Sequence, residues 1–489
     1  MSSIVPSRIP NCIGGRDVAP ANDAWFAKVN PHNASPLWQA ARSDARDVHG
    51  AIAAAEAAQP AWADAPAVRR GETLRAIATA MDLRRDDIAS VVALETGKSF
   101  KDALGETSGA IALAHFYAGE GQRLYGRTTT SATAHRQVQT VREPIGVAGL
   151  IVAANTPIAN VAWKLFPALV CGNAAVLKAA EDTPATAWLT HAIAKQAGLP
   201  DGLFNVIQGY GEEAGAPLVS SDRVPVISFT GSTAVGREIA AVAGRRLAKV
   251  SLELGGKNPF VVCDDADLDH AATWALLSAF SNAGQRCASG TRIIVFDAVY
   301  ERFRDLLVER ASRLKLGTAD TDDFGPVINE RQLTKMLGAI ERARAAGARI
   351  LTGGMRLTDT AHRNGFYLAP TLVEGVGPHD EMSTVELFGP VAALYRVSGF
   401  GAALALANDS PYGLTACIHT HDINRAMLFT RKVAAGVAVV NAGTFGSEPH
   451  MPFGGVKYSG NGSREPGTEA LDIYSSLKDV YVNVNPAVA

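Results

Sequence analysis

The sequence predicts an α/β protein of more than one domain, and three observations carry that reading. From Gly146 onward, short apolar strand-like runs alternate with helix-length segments, the pattern of βαβ units feeding a parallel sheet. The chain holds 46 glycines, enough for many tight strand-to-helix turns, and is 47% hydrophobic but only 7% aromatic. Its 489 residues exceed the roughly 250 to 300 at which a single hydrophobic core stops growing.

The elements follow in order. To about residue 120 the chain reads as helical after an irregular start: Val48, Ile52 and Ala55 share one face, and this Ala-rich helix is expected to end near Pro60. A second helical run covers roughly 68–94. Residues 121–145 change character, with a Thr/Ser cluster at 128–131 before the alternating Gln137-Val138-Gln139-Thr140-Val141, which predicts an exposed strand or hairpin able to project as an arm. Next come a strand over 146–153, a helix from about Ile158, a strand over 174–177 and a helix opened by Thr183-Pro184. A strand over 203–207, a short helix after Gly211, a strand over 226–229 and a helix beginning at Ser232 complete this part. A second α/β segment is expected from Lys257 to about residue 455, and the tail over 474–485 reads as a strand that could pair with the arm.

The charge balance narrows the partners. Lys plus Arg (46) nearly equals Asp plus Glu (48), so a net charge of -2 leaves no electrostatic footprint for nucleic acid or an anionic membrane. Small molecules are the partners this balance favours. The 5 cysteines, at 12, 171, 263, 287 and 417, are odd in number and far apart, with no spacing of the kind metal sites use. A reducing cytoplasm fits them. Neither a leader pattern nor an apolar run near the roughly 18 residues of a membrane span is present, so a soluble cytoplasmic protein is expected.

Several residues could carry chemistry. Cys287 lies in Asn282-Ala283-Gly284-Gln285-Arg286-Cys287-Ala288-Ser289-Gly290, and Glu253 opens Glu253-Leu254-Gly255-Gly256-Lys257: together a nucleophile and a base. A thiol of ordinary pKa is only a few per cent ionised at neutral pH, so a reactive Cys needs surroundings that favour the anion, and Arg286 is compatible with that. A lone Cys is otherwise a buried structural residue. The run from Ile227 to Gly236 places a strand end, the turn glycine Gly231 and the helix-capping Ser232 in one line, where unpaired N–H groups favour a phosphate. By itself this is equally an ordinary capped turn. Gly211, in Gly209-x-Gly211-x-x-x-Gly215, misses the common dinucleotide fingerprint. Lys178 and Glu181 follow a strand at the carboxyl end, where they could hold ribose hydroxyls or form a solvated ion pair. Asn155 also ends a strand; its amide could donate to an oxyanion, or cap the helix that Pro157 opens.

Five strings, Phe229-Thr230-Gly231-Ser232, Glu253-Leu254-Gly255-Gly256-Lys257, Gly284-Gln285-Arg286-Cys287, Glu386-Leu387-Phe388-Gly389-Pro390 and Pro452-Phe453-Gly454-Gly455, occur in the order and spacing of the aldehyde dehydrogenase superfamily. The chain resembles that family over nearly its whole length. The resemblance implies a Rossmann-like coenzyme domain (1–120 and 146–256), an α/β catalytic domain (257–458) and a small β oligomerisation arm and tail (121–145 and 459–489), assembled as a homodimer or homotetramer. It implies oxidation of a small-molecule aldehyde to the acid through a thiohemiacetal and a thioester on Cys287, with the oxyanion held by Asn155 and the Cys287 N–H, and Glu253 as general base. Lys178 and Glu181 match the family's adenosine-ribose contacts, Ser232 a pyrophosphate contact, Glu386 a nicotinamide-ribose contact and Phe388 a packing residue beside the nicotinamide.

The chain also departs from the family. Where members often carry Pro-Trp-Asn-Phe-Pro, this sequence has Ala153-Ala154-Asn155-Thr156-Pro157, so Thr156 removes an aromatic wall and Asn160 stands where apolar residues are common. A wider or more polar substrate entrance is expected, with Thr156, Asn160, Arg286 and Phe453 as candidate substrate contacts. Arg286 could pair with the carboxylate of a semialdehyde, or face away from the substrate. A carboxylate at Glu181 accepts bonds from the hydroxyls of NAD and repels the phosphate of NADP, so NAD is favoured while NADP stays open. Two other functions compete: transfer of the thioester to CoA, against which Glu253 argues, and a catalytically silent scaffold, against which the joint retention of Cys287, Glu253 and Asn155 argues.

Overall fold

Five parallel strands build the first large sheet, and their spatial order reverses halfway across. The computed structural model describes residues 4–488. In space the strands run Lys249–Glu253, Val226–Thr230, Val147–Ile151, Ala174–Lys178 and Phe204–Ile207, with Asn11–Ile13 and Arg16–Val18 added antiparallel at one edge. The chain enters at Val147–Ile151, winds outward on one side, then returns to lay Val226–Thr230 against the other side of that first strand. A crevice opens at such a reversal beyond the carboxyl ends, where open α/β sheets bind ligands. Here it lies between the loop after Ile151 and the turn after Thr230. Val147–Ile151, Ala174–Lys178 and Phe204–Ile207 are buried along their whole length, as strands covered on both faces require.

The second large sheet runs Arg349–Thr352, Thr371–Glu374, Val391–Val397, Arg292–Phe296, Pro259–Val262, Thr415–His419, Val437–Val440, all parallel except its first member. Each sheet has its own apolar core, the first gathered around Val147–Ile207, the second around Phe260–Val262 and Arg292–Phe296. The strand Arg136–Pro144 pairs antiparallel with Thr128–Thr130 and with the tail strand Ser475–Asn483, in register from Ser475 opposite Pro144 to Asn483 opposite Arg136. Just before that tail strand, Ala470, Leu471, Ile473 and Tyr474 pack into the first core rather than the arm.

Two helix boundaries differ from expectation. The first helix, Ala45–Asp64, passes through Pro60 instead of ending there. An interior proline costs a helix about 3 kcal/mol. Beyond it Trp62 is buried and its Nε1 donates to the Leu169 carbonyl at 2.8 Å, so burial of a large aromatic with its polar atom satisfied offsets the lost backbone bond. The run over 68–94 divides into Ala67–Leu83 and Arg85–Thr96, because Arg84 leaves the helical region at φ -113 and ψ 23.

Candidate active site

Cys287 sits on a tight loop whose backbone is unusual. Asn282, Ala283 and Gly284 all have positive φ (55, 55 and 66), a short left-handed stretch costing roughly 1 to 2 kcal/mol for each non-glycine residue. Such strain persists only where the surroundings over-determine it. A Cβ on Gly284 would strike the Gly389 carbonyl, so the loop lies directly against Glu386-Leu387-Phe388-Gly389. Asn258 grips it from below, its Nδ2 donating to the carbonyls of Cys287 (2.8 Å) and Ser289 (2.9 Å), and Thr444 Oγ1 donates to the Ala288 carbonyl at 2.6 Å.

The thiol opens onto a cavity of about 510 Å³ whose wall includes Asn155, Thr156, Arg286, Cys287, Phe445 and Phe453. Asn155 Nδ2 donates to the Gln285 carbonyl at 3.0 Å, which holds its amide beside the Cys287 loop. It is not the cap of the following helix. That helix, Pro157–Val170, is capped from a distance: Glu106 Oε1 accepts from the N–H groups of Ile158 (3.0 Å) and Ala159 (3.3 Å). The aromatic wall that Thr156 does not provide comes from elsewhere in the chain. Trp163 and Phe453 meet edge to face at 5.4 Å, and Phe445 and Ala288 join the same apolar cluster around Cys287.

Arg286 stands on the cavity wall beside Cys287. Its guanidinium lies 5.1 Å from the centre of the Phe445 ring, and its Nε has no partner among the described residues. Burial pulls its pKa down, while Glu106 and Asp102 pull the other way. Asn160, by contrast, is 6% exposed and does not line the cavity.

The sequence expectation that the surroundings favour a thiolate does not hold in this state. Burial pushes the Cys287 thiol up to about 12; the nearby carboxylates of Glu386 and Glu253 push the same way, and the Ala288 N–H and Arg286 only partly oppose them. Glu253, 4% exposed at the end of its strand, is also raised well above the usual carboxyl range by burial and then by Glu465, with Lys164 and Arg464 opposing. Both of its carboxyl oxygens lack a partner among the described residues. The side chain lies against Gly454, set back from the cavity wall: a Cβ there would come within 2.7 Å of Glu253 Oε1.

The crevice at the sheet reversal gathers most of the other candidates. Lys178, 3% exposed, donates to Glu181 at 3.2 Å. Burial alone would raise the Glu181 carboxyl, but Lys178, helped by Arg331, outweighs it and holds the pKa down. Ser232 Oγ accepts from the Val235 N–H at 3.4 Å and caps Thr233–Arg245; Gly231 has no room for a Cβ because the Phe229 ring fills that space. Thr230 Oγ1 is buried without a partner among the described residues. Glu386 accepts from the Gly256 N–H at 3.0 Å, and burial raises its carboxyl to about 7 against the pull of that N–H and of Lys257. Phe388, at φ 59, borders the same small gap as Gly256 and Glu386. Gly211 is not brought to the crevice: it follows the strand Phe204–Ile207, two places from the reversal, with open space around its Cα.

Some site residues escaped sequence reasoning. Lys98 and Glu106 both line the cavity and pair at 2.6 Å. Behind Glu253, Lys164 donates to Ser228 Oγ and to Glu465 (2.7 Å each), and Ser228, Ser251 and Tyr474 all reach Glu465. A lysine in the otherwise apolar Val161-Ala162-Trp163-Lys164-Leu165-Phe166 was the available signal. Lys98 and Glu106 gave none, since charged residues on an amphipathic helical stretch read as solvated.

Comparison with known proteins places these features. A model of the Aldehyde dehydrogenase family matches residues 18–480. The chain is 39% identical to an alpha-ketoglutaric semialdehyde dehydrogenase of Bacillus subtilis, over 90% of this chain and 91% of that one. It is 38% identical to an alpha-ketoglutarate semialdehyde dehydrogenase of Haloferax volcanii, over 96% and 98%. Its structure resembles betaine aldehyde dehydrogenase of Staphylococcus aureus, solved in complex with NAD+, with a TM-score of 0.95 at 31% identity and 98% of each chain covered. The match along the chain, the identity to its relatives and the shared fold agree: this protein belongs to the aldehyde dehydrogenase family.

Proposed function

We propose that this protein oxidises a carboxylate-bearing semialdehyde to the dicarboxylic acid with NAD, through a thiohemiacetal and then a thioester on Cys287. The observation that carries the reading is the convergence on one cavity of Cys287, Asn155 and Arg286, whose Nε has no partner among the described residues. The two semialdehyde dehydrogenases similar to this chain support the substrate class, and the NAD+ complex of the structural relative supports the coenzyme.

The Cys287 sulfur, passing its proton to water, attacks the aldehyde carbon, and the oxygen, gaining charge, takes hydrogen bonds from the Asn155 amide and the Cys287 N–H; loss of one such donor typically costs about 10²- to 10³-fold. When bound, the nicotinamide dinucleotide supplies the hydride acceptor. The crevice residues fit it: Lys178 and Glu181 for the adenosine ribose, the Ser232 helix start for pyrophosphate beside the orphaned Thr230 hydroxyl, Glu386 for the second ribose and Phe388 against the ring. Glu253, whose carboxyl oxygens have no partner among the described residues, turns from Gly454 toward the thioester and takes a proton from water, and burial raises its proton affinity, which strengthens it as a base. Arg286 offers a planar, charge-assisted fork to the distal carboxylate. Thr156 and Phe453 shape the wall between.

In the same reading 1–120 and 146–256 hold the coenzyme, 257–458 carries the nucleophile, and the arm and tail join copies into dimers or tetramers. A reducing cytoplasm suits five free cysteines. The test is NADH absorbance with a panel of aldehydes, with NAD and NADP, with and without CoA. Acid formation without CoA supports the proposal; a strict CoA requirement or silence with every aldehyde rejects it.

A further inference from the structure

We infer that Asn160 is a positioning residue that sets which face of the Asn155 amide meets the reacting aldehyde. The inference rests on the aldehyde-oxidation reading above. Asn160 Nδ2 lies near four oxygens: the carbonyls of Ala153 (3.3 Å) and Thr156 (3.0 Å), Thr156 Oγ1 (3.1 Å) and Asn155 Oδ1 (3.4 Å). The two carbonyls only accept, so the Asn160 atom facing them is the amide nitrogen and not the oxygen. Its two hydrogens are shared among the four oxygens, and Asn155, whose Oδ1 is the farthest at 3.4 Å, turns its oxygen toward this donor side. The Asn155 nitrogen is thereby kept on the opposite side, where it donates to the Gln285 carbonyl at 3.0 Å, beside the Cys287 loop.

Turning Asn155 over would set two amide nitrogens against each other and point its oxygen at the Gln285 carbonyl and at the developing oxyanion. In a buried site such mismatches are costly, because the low dielectric strengthens repulsion as much as attraction. Asn160 is 6% exposed and off the cavity wall, so it reaches the substrate only through its neighbours Asn155 and Thr156, and an Asn155→Ala background separates the two routes. The frame that it leans on is fixed from outside: Lys98 Nζ (3.0 Å) and Asn282 Nδ2 (3.1 Å) both donate to the Asn155 carbonyl. An apolar side chain at 160 fills the space and leaves Asn155 Oδ1 without this donor.

The experiment measures the first-turnover rate of NADH formation and KM for Asn160→Leu, Asn160→Ser and Asn155→Ala/Asn160→Leu beside Asn155→Ala, on an acidic and an apolar aldehyde. The expected result for Asn160→Leu is a fall of about 10-fold on both aldehydes with KM little changed, a part of the roughly 10²- to 10³-fold carried by a whole oxyanion donor. Asn160→Ser, which keeps a donor, recovers part of the rate and guards against a folding defect in the leucine variant. In the Asn155→Ala background the leucine adds no further loss, as two residues acting through one group require. A rise in KM confined to the acidic aldehyde with the rate unchanged would make Asn160 a substrate contact and overturn the inference, and so would an equal loss in both backgrounds. Silence of the wild-type enzyme with every aldehyde would overturn the parent reading and this inference with it.

Discussion

Lys98 and Glu106 form a buried ion pair that holds the Asn155 loop at both ends. Their side chains are 6% and 7% exposed and meet at 2.6 Å. Lys98 Nζ also donates to the Asn155 carbonyl at 3.0 Å, while Glu106 Oε1 takes the first free N–H groups of the next helix. Removing one partner leaves an uncompensated charge in the interior, which typically costs 3 to 5 kcal/mol. Lys98→Met is expected to lose about 3 kcal/mol of stability, read from urea unfolding, and to slow NADH formation because the Asn155 loop loses an anchor. Unchanged stability with unchanged turnover would show that the pair does neither.

The alternation of strands and helices made four of the five parallel strands of the first sheet legible, because buried parallel strands are continuous apolar runs; Lys249–Glu253, which begins exposed, and the short edge strands Asn11–Ile13 and Arg16–Val18 gave no such run. Pro60 misled because a tertiary contact, the burial of Trp62, outweighs a local rule. Cys287 and its motif were legible, but the state of its thiol was not: burial depends on Trp163, Phe445 and Phe453, which converge from separate parts of the chain. Asn160 was legible as an unusual polar residue, whereas the direction of its amide is a property of the loop at 153–156.

The raised thiol has a direct consequence for reactivity without coenzyme. With a pKa pushed up to about 12, Cys287 is protonated through the physiological range, and its thiolate fraction grows tenfold with each pH unit. Alkylation of Cys287 by iodoacetamide, followed by mass spectrometry of the peptide, is expected to accelerate steadily from pH 6 to pH 9. A plateau below pH 8 would place the thiol below its ordinary value of about 8.5 and contradict the burial argument.

In the proposed reading Arg286 separates a semialdehyde from a simple aldehyde. Truncating one partner of a buried, hydrogen-bonded charge pair costs upward of about 2 kcal/mol. Arg286→Ala is therefore expected to lower kcat/KM for succinic or alpha-ketoglutaric semialdehyde by about 30-fold relative to butanal, since each 1.36 kcal/mol is tenfold. An unchanged ratio would remove Arg286 from substrate recognition.

In the proposed reading coenzyme choice turns on Glu181. Its carboxylate, kept ionised by Lys178 and Arg331, opposes a 2′-phosphate, while the exposed Arg331, 4.0 Å away, is positioned to attract one. Glu181→Ala is expected to raise kcat/KM with NADP about 10-fold relative to NAD, and further substitution of Arg331 by Ala to reverse that gain. No change in the ratio would place the adenosine ribose elsewhere.

The central claim is that one sulfur forms the bond through which the aldehyde is oxidised. Its most direct test is the absorbance of NADH formed from alpha-ketoglutaric semialdehyde by the wild-type protein and by Cys287→Ser at matched concentration. Sustained NADH formation by the first and none above background by the second is the predicted result; equal rates from both would contradict it.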